Sequence, residues 1–174
     1  ELDRLKLGLD MVLMNARIDS FESDMHVEQV NLLNCVTEVI NENKRLFITN
    51  QVFPQVSIDD SIIVASDSKW LKFMLSQFVT NAVKYTFEKN KKLVVSAKQH
   101  GTNIVVSVHD EGIGIPKSDL SRVTKAFFTG ENGRKTGEST GMGLYLAKEI
   151  CEKLGHELNI ESEIGNGTIV SITF

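Results

Sequence analysis

The chain has 174 residues, 41% hydrophobic and 24% charged, with 19 Lys and Arg against 23 Asp and Glu for a formal net charge of −4. That length supports one domain with a sizeable core, or one domain plus an appendage, and that charge lacks the basic footprint of a nucleic-acid binder, so no nucleic-acid partner is expected. No apolar run approaches the roughly 18 residues needed to cross a bilayer and no signal segment opens the chain, so direct membrane contact is not expected of these residues.

The opening "ELDRLK" lacks an initiator Met, which suggests a piece of a longer protein whose remainder can carry a membrane anchor. Leu2, Leu5, Leu9, Val12 and Ala16 recur at helical spacing, and Leu7, Met11, Met14 and Ile18 form a second stripe. This predicts a helix over 1–19, apolar on a wide face and built for a bundle with mates in a second chain or in upstream sequence. "DSFESDMH" is polar and irregular and reads as a hinge over 20–26, ahead of a body over 27–174. In the body, "VEQVNL" reads as a strand and "NLLNCVTEVINENKRLFI" as one helix with Leu33, Val36, Val39 or Ile40 and Phe47 on one side, while "QVSID" and "SIIVASD" read as strands around a turn. Asp67 or Ser68 caps the helix "SKWLKFMLSQFVTNAVKYT". "KLVVSAKQ" and "NIVVSVHD" form a hairpin through Gly101, the stretch from Lys117 to Thr140 reads as a mobile loop, and "GMGLYLAKEICEKLG" is a helix stopped at Gly155. "HELNIES" and "TIVSITF" are the last strands. Helices interleaved with paired strands predict an α/β two-layer sandwich with one mostly antiparallel sheet. Cys35 and Cys151, without CxxC spacing, read as buried hydrophobes of a reducing compartment.

Four stretches carry candidate chemistry. In the middle helix, Leu71, Leu75, Phe78 and Ala82 form the buried stripe, whereas Gln77, Asn81 and Lys84 share the flank, with Tyr85 between the two groups. An amide oxygen can ligate Mg²⁺, a lysine can meet phosphate and a tyrosine can stack on a base, although alone this is an ordinary polar helix face. Asp110, opening "DEGIGIP" at a strand end, can accept a hydrogen bond from an amino group such as adenine's N6 and would repel guanine's carbonyl. "GMGL" presents backbone N–H groups at a helix start as an anion site, yet it is neither a Walker A nor a Rossmann motif. "GNGT" by itself is a hairpin turn.

In this order the four, with "AFFTG" between the second and third, resemble the boxes of GHKL ATPase domains, the family of gyrase-type ATPases, Hsp90-type chaperones, MutL proteins and sensor histidine kinases. "QFVTNAVKYT" resembles the N box, "DEGIGIP" the G1 box, "AFFTG" the F-box region, "GMGL" the G2 box and "GNGT" the G3 motif, over roughly Val27 to Phe174. The resemblance implies the Bergerat fold, a mixed, mostly antiparallel sheet covered on one face by helices, with ATP and Mg²⁺ as cofactors. It implies that Asp110 binds the adenine amino group, that Gly112, Gly114 and Ile115 shape the pocket wall and that Tyr85 lies along the base. Asn81 would ligate Mg²⁺ and Lys84 approach the phosphates; Gly141, Gly143 and Leu144 would supply backbone donors, with Met142 beside them in the cofactor-binding set, and Thr168 would close the floor. Lid cations such as Arg134 and Lys135 would reach the γ-phosphate.

Hydrolytic members of this family place a glutamate one turn before the metal-ligating Asn. Here Gln77 stands there, and a neutral amide cannot serve as a general base at neutral pH, so transfer to a protein nucleophile is favoured over water attack. "NAVKYT" and the leading bundle-type helix resemble sensor histidine kinases, and "FTGENGR" followed by "STGMGLYLAK" resembles the Firmicute kinases with short membrane sensors that answer bacitracin and cationic peptides. The resemblance implies a catalytic set of Gln77, Lys84 and Arg134, a parent that is homodimeric through its helix bundle and anchored in the cell membrane with this domain in the cytoplasm, and a response regulator as partner. Two departures stand out. None of His26, His100, His109 and His156 lies in the His-Glu/Asp-x-x-x-Pro setting of an acceptor, so these residues should not phosphorylate themselves; and Thr124-Lys125-Ala126-Phe127 replaces the usual F box. The rival expectations are a GHKL ATP hydrolase and a non-catalytic nucleotide-binding dimerisation module.

Overall fold

The computed structural model describes residues 5, 8, 9, 12, 13, 16, 18, 21–130, 133 and 140–174. The described residues up to Ile18 are helical, and α1 (Phe21–Asp24) continues that character. Within the segment expected to be an irregular hinge, Phe21–Asp24 is therefore helical. It is also anchored: the Phe21 ring is fully buried, its centroid 5.3 Å from that of Trp70.

Side-chain caps set the helix starts. Asn31 ends β1 (Glu28–Asn31), and its side-chain oxygen accepts the Asn34 N–H at 2.9 Å to open α2 (Leu32–Glu42). The single helix expected over 31–48 is two, parted at Asn43, whose backbone N–H and side-chain amide both donate to the Val39 carbonyl, at 3.2 and 2.8 Å, before α3 (Lys44–Asn50) begins. β2 (Val52–Ser57) and β3 (Ile63–Ser66) follow, and Asp67 opens α4 (Ser68–Lys84) by accepting the Trp70 N–H at 3.1 Å. Such a cap is worth about 1 kcal/mol. The other Asp67 oxygen accepts the His26 N–H at 2.8 Å, tying the approach to the body onto the same helix start.

The remaining elements are β4 (Lys91–His100), β5 (Asn103–Asp110), α5 (Lys117–Leu120), α6 (Gly143–Lys153), β6 (Glu157–Glu163) and β7 (Gly167–Thr173). One five-stranded sheet runs β2-β4-β5-β7-β6, antiparallel except for the parallel β2–β4 pair, while β1 and β3 pair separately. The strands expected to flank a common turn, β2 and β3, thus belong to different sheets. Leu71, Leu75, Phe78 and Ala82 of α4 are all buried as their spacing predicts, in one core with Leu93 and Val106 of the sheet and Leu146 and Ile150 of α6. Each large side chain so buried contributes roughly 1.5–3 kcal/mol. On the other sheet face Lys98, His109, Asn159 and Glu161 are exposed, so helices cover one face only and the two-layer expectation holds. Burial pushes the Cys35 thiol up to about 11 and the Cys151 thiol to about 12, which leaves both as inert hydrophobes.

Candidate functional site

Where α4 ends, β5 ends and α6 begins, the layers part around a cavity of about 830 Å³. This is the size of a small-molecule site. The wide apolar face of α4 fixes its rotation, which turns Gln77, Asn81 and Lys84 toward the opening; all three line it, as does Tyr85. From the opposite wall comes Asp110. Its side chain is nearly buried, and one oxygen, Oδ1, accepts the backbone N–H groups of Gly112 at 2.8 Å and Thr168 at 3.2 Å. Both bonds fall on Oδ1, and Oδ2 takes no bond from a described residue. Burial pushes the Asp110 carboxyl above the ordinary carboxylate value, against the downward pull of those two N–H groups and of His109.

The double-glycine turn after β5 has a steric reason. The Ile113 N–H donates to the Tyr85 carbonyl at 3.1 Å, so the turn is bonded to the C-terminus of α4. Gly114 has φ 74° and its missing Cβ would strike the Glu163 carbonyl, so only glycine lets the turn lie against the β6–β7 hairpin. The Ile115 N–H then donates to Ser162 Oγ at 2.8 Å. At the other end of the cavity, a Cβ on Gly143 would meet Gln77 Oε1, so the first turn of α6 rests directly on the Gln77 side chain. Gly143 and Leu144 of that turn line the cavity together with Asn81 and Lys84, and the first N–H groups of a helix, at the positive end of its dipole, suit an anion.

Of the residues singled out in the sequence, Gln77, Asn81, Lys84, Tyr85, Asp110, Gly114, Ile115, Gly141, Gly143, Leu144 and Thr168 line this one cavity. Gly112 does not; it supports the wall by donating to Asp110. Met142 is a correction: its side chain is buried in the core and its N–H points to Thr140 Oγ1 at 3.4 Å, because it packs the root of α6. Arg134 and Lys135 lie outside the described residues. The departure at the F box has a visible arrangement, in which buried Asp119 pairs with Arg122 at 2.9 Å and Arg122 stacks 4.7 Å over Phe128 on the cavity wall. Three of the four histidines are exposed, and His156 bonds Ser66 Oγ at 2.9 Å, remote from the cavity. Sequence reasoning missed Ser162, which bonds the turn after β5 and the β6–β7 hairpin together. Its signal was the hairpin register, which sets Ser162 opposite Thr168.

A mixed sheet with helices on one face, and a cavity walled by the last turns of α4, the end of β5 and the start of α6, define a class. The chain belongs to the histidine kinase-, DNA gyrase B- and HSP90-like ATPase family, whose model matches residues 66–174. Within it, the chain is 42% identical over 174 residues to the sensor histidine kinase YxdK of Bacillus subtilis, covering 100% of this chain and 54% of that protein. It is 34% identical over 171 residues to the sensor protein BceS of Halalkalibacterium halodurans, covering 98% of this chain and 50% of BceS. The chain thus spans about half the length of the curated relatives it matches. In fold it resembles the catalytic domain of histidine kinase ThkA, with a TM-score of 0.75 at 23% identity over 86% of this chain and 95% of that one. The same kinase, solved in complex with response regulator protein TrrA, gives 0.75 at 22% identity over 100% of this chain and 48% of that one. The family and fold class expected from the motifs are those found.

Proposed function

We propose that this chain is the ATP-binding catalytic domain of a sensor histidine kinase, which transfers the γ-phosphoryl group of ATP to a histidine outside these residues and thence to an aspartate of a response regulator. One observation carries the reading: Asn81 on α4 and Asp110 at the end of β5 line the same cavity, 830 Å³ in size. Asp110 Oδ2 accepts the adenine amino group, Tyr85 lies along the base, and Gly114, Ile115 and Thr168 close the purine end. Lys84 and the backbone N–H groups of Gly143 and Leu144 meet the phosphates. Among the described residues no group of three or more His, Cys, Asp or Glu could cage a metal. Mg²⁺ takes few protein ligands and keeps phosphate oxygens and water. Asn81 Oδ1 would hold the ion, which when bound neutralises triphosphate charge.

Gln77 supports transfer over hydrolysis, since it packs on α6 as a neutral amide and cannot take a proton from water. In the transfer, the bond from Pγ to the bridging oxygen breaks, a bond to an imidazole nitrogen forms, and ADP leaves. The chain's contribution is position and charge. Residues 1–19 are read as the end of a dimerising bundle helix and 20–26 as its junction to the body; the parent is read as a membrane-anchored homodimer. Among the described residues no helix is long and apolar enough to cross a membrane. The test mixes this chain with a bundle bearing an acceptor histidine and γ-labelled ATP. Label on the histidine is expected. Nucleotide binding without label would favour a regulatory module, and steady phosphate release by the chain alone would favour a hydrolase.

A further inference from the structure

We propose that Ser162 helps select the base, by fixing the hydroxyl proton of Thr168 so that Thr168 presents only lone pairs to the purine. The inference rests on the nucleotide reading of the cavity. A hydroxyl has one proton and two lone pairs. Ser162 Oγ lies 2.8 Å from three groups: the Ile115 N–H, the Gly167 carbonyl and Thr168 Oγ1. The first can only donate to it and the second can only accept from it. The single Ser162 proton is thereby committed to Gly167, and one lone pair to Ile115. The bond to Thr168 is left with one direction, from Thr168 Oγ1 to the remaining Ser162 lone pair.

The consequence is felt one layer inward. Ser162 does not line the cavity, but Thr168 does, paired across the strands with Asp110. With its proton turned back to Ser162, Thr168 joins Asp110 as a second hydrogen-bond acceptor at the base end. Two fixed acceptors welcome a 6-amino purine and oppose a 6-oxo purine, whose O6 would meet lone pairs from both. Ser162 is thus a positioning residue that acts through Thr168. Freed of Ser162, the Thr168 hydroxyl can rotate and offer its proton to O6.

The test measures calorimetric affinities of the chain for ATP and for inosine triphosphate, the 6-oxo analogue, with magnesium. Ser162→Ala is expected to narrow the ATP-over-ITP ratio by about tenfold, the scale of one hydrogen bond, while Ser162→Thr keeps the wild-type ratio. Thr168→Val, which removes the opposing lone pairs, should narrow the ratio too and serves if Ser162→Ala fails to fold. In the Thr168→Val background, Ser162→Ala should change the ratio no further, which a double-mutant cycle reads directly. Equal weakening of both nucleotides in Ser162→Ala, or a ratio unmoved in Thr168→Val, overturns the proposal while the nucleotide reading stands. Failure of the wild-type chain to bind either triphosphate overturns both.

Discussion

Replacing Asp110 by Asn separates binding from stability, because the two should move in opposite directions. Asn keeps an oxygen where Oδ1 accepts the Gly112 and Thr168 N–H groups, so the turn after β5 retains its bonds. At the Oδ2 position it puts an NH₂ donor, which on the proposed reading would face the donor of a 6-amino purine. A hydrogen bond to a charged group is worth about 1.5–3 kcal/mol, so ATP should bind roughly 10- to 150-fold more weakly. Stability should rise at neutral pH. The folded carboxyl sits above its ordinary value of 3.8 chiefly through burial, so below 3.8 both folded and unfolded states hold the proton, and as pH rises through the folded value the folded state must ionise a buried group and loses that stability. Asn never ionises, so its advantage is present at pH 7 and vanishes on acidification. Calorimetric titration with Mg-ATP and thermal melts at pH 7 and near pH 4 measure both. Unchanged ATP affinity, or a melting temperature at pH 7 below that of the wild type, would refute the placement of Asp110 as a desolvated acceptor at the base.

Phe127 is 72% exposed and sits at φ 61°, in the left-handed region that strains a residue with a Cβ; Phe127→Gly should raise stability by about 1 kcal/mol in denaturant unfolding, and a loss would mean that the ring makes contacts worth more than the strain. Gly167→Ala should cost over about 3 kcal/mol, because at φ 85° its Cβ would enter the Asp110 carbonyl, whereas Gly165→Ala, equally at φ 85° but in open space, should cost only the backbone strain, about 1 kcal/mol; comparable losses at the two would contradict the packing of the hairpin on β5. Burial holds His156 below its ordinary value of 6.5, so the folded state keeps it neutral while the unfolded state takes up a proton first as pH falls through 6.5. Stability should therefore decline from pH 7 to pH 5, and His156→Gln should flatten that decline in urea titrations followed at both pH values.

Periodicity within one element was legible from the sequence. The α4 stripe fixed which flank carries Gln77, Asn81 and Lys84, and the tight turn at Gly101 paired β4 with β5 correctly. What escaped was decided by competition or by distance along the chain. The break at Asn43 carries a side-chain amide folded back onto the Val39 carbonyl, with no change in apolar spacing to mark it. The parallel partner of β2 lies beyond β3 and α4, and nothing local names it. At the site, residues that touch the cavity had recognisable chemistry, whereas Ser162 works one bond further back and looked like any polar strand residue. Met142, flanked by two cavity glycines, was assigned by position alone, and core packing claimed it.

The parallel pairing of β2 with β4 also decides where this protein can be cut. The family model begins at residue 66, after β2, yet β2 runs beside β4 from Val52 opposite Lys91 to Ser57 opposite Ser96. A truncation at residue 66 would keep every cavity motif singled out in the sequence and strip that neighbour away, leaving the backbone of Lys91–Ser96 as a raw sheet edge beside buried Leu93 and Val95. Unprotected edges of that kind recruit other chains. The autonomous unit for expression therefore starts before β2, and a piece cut at residue 66 is expected to precipitate although it keeps every one of those motifs.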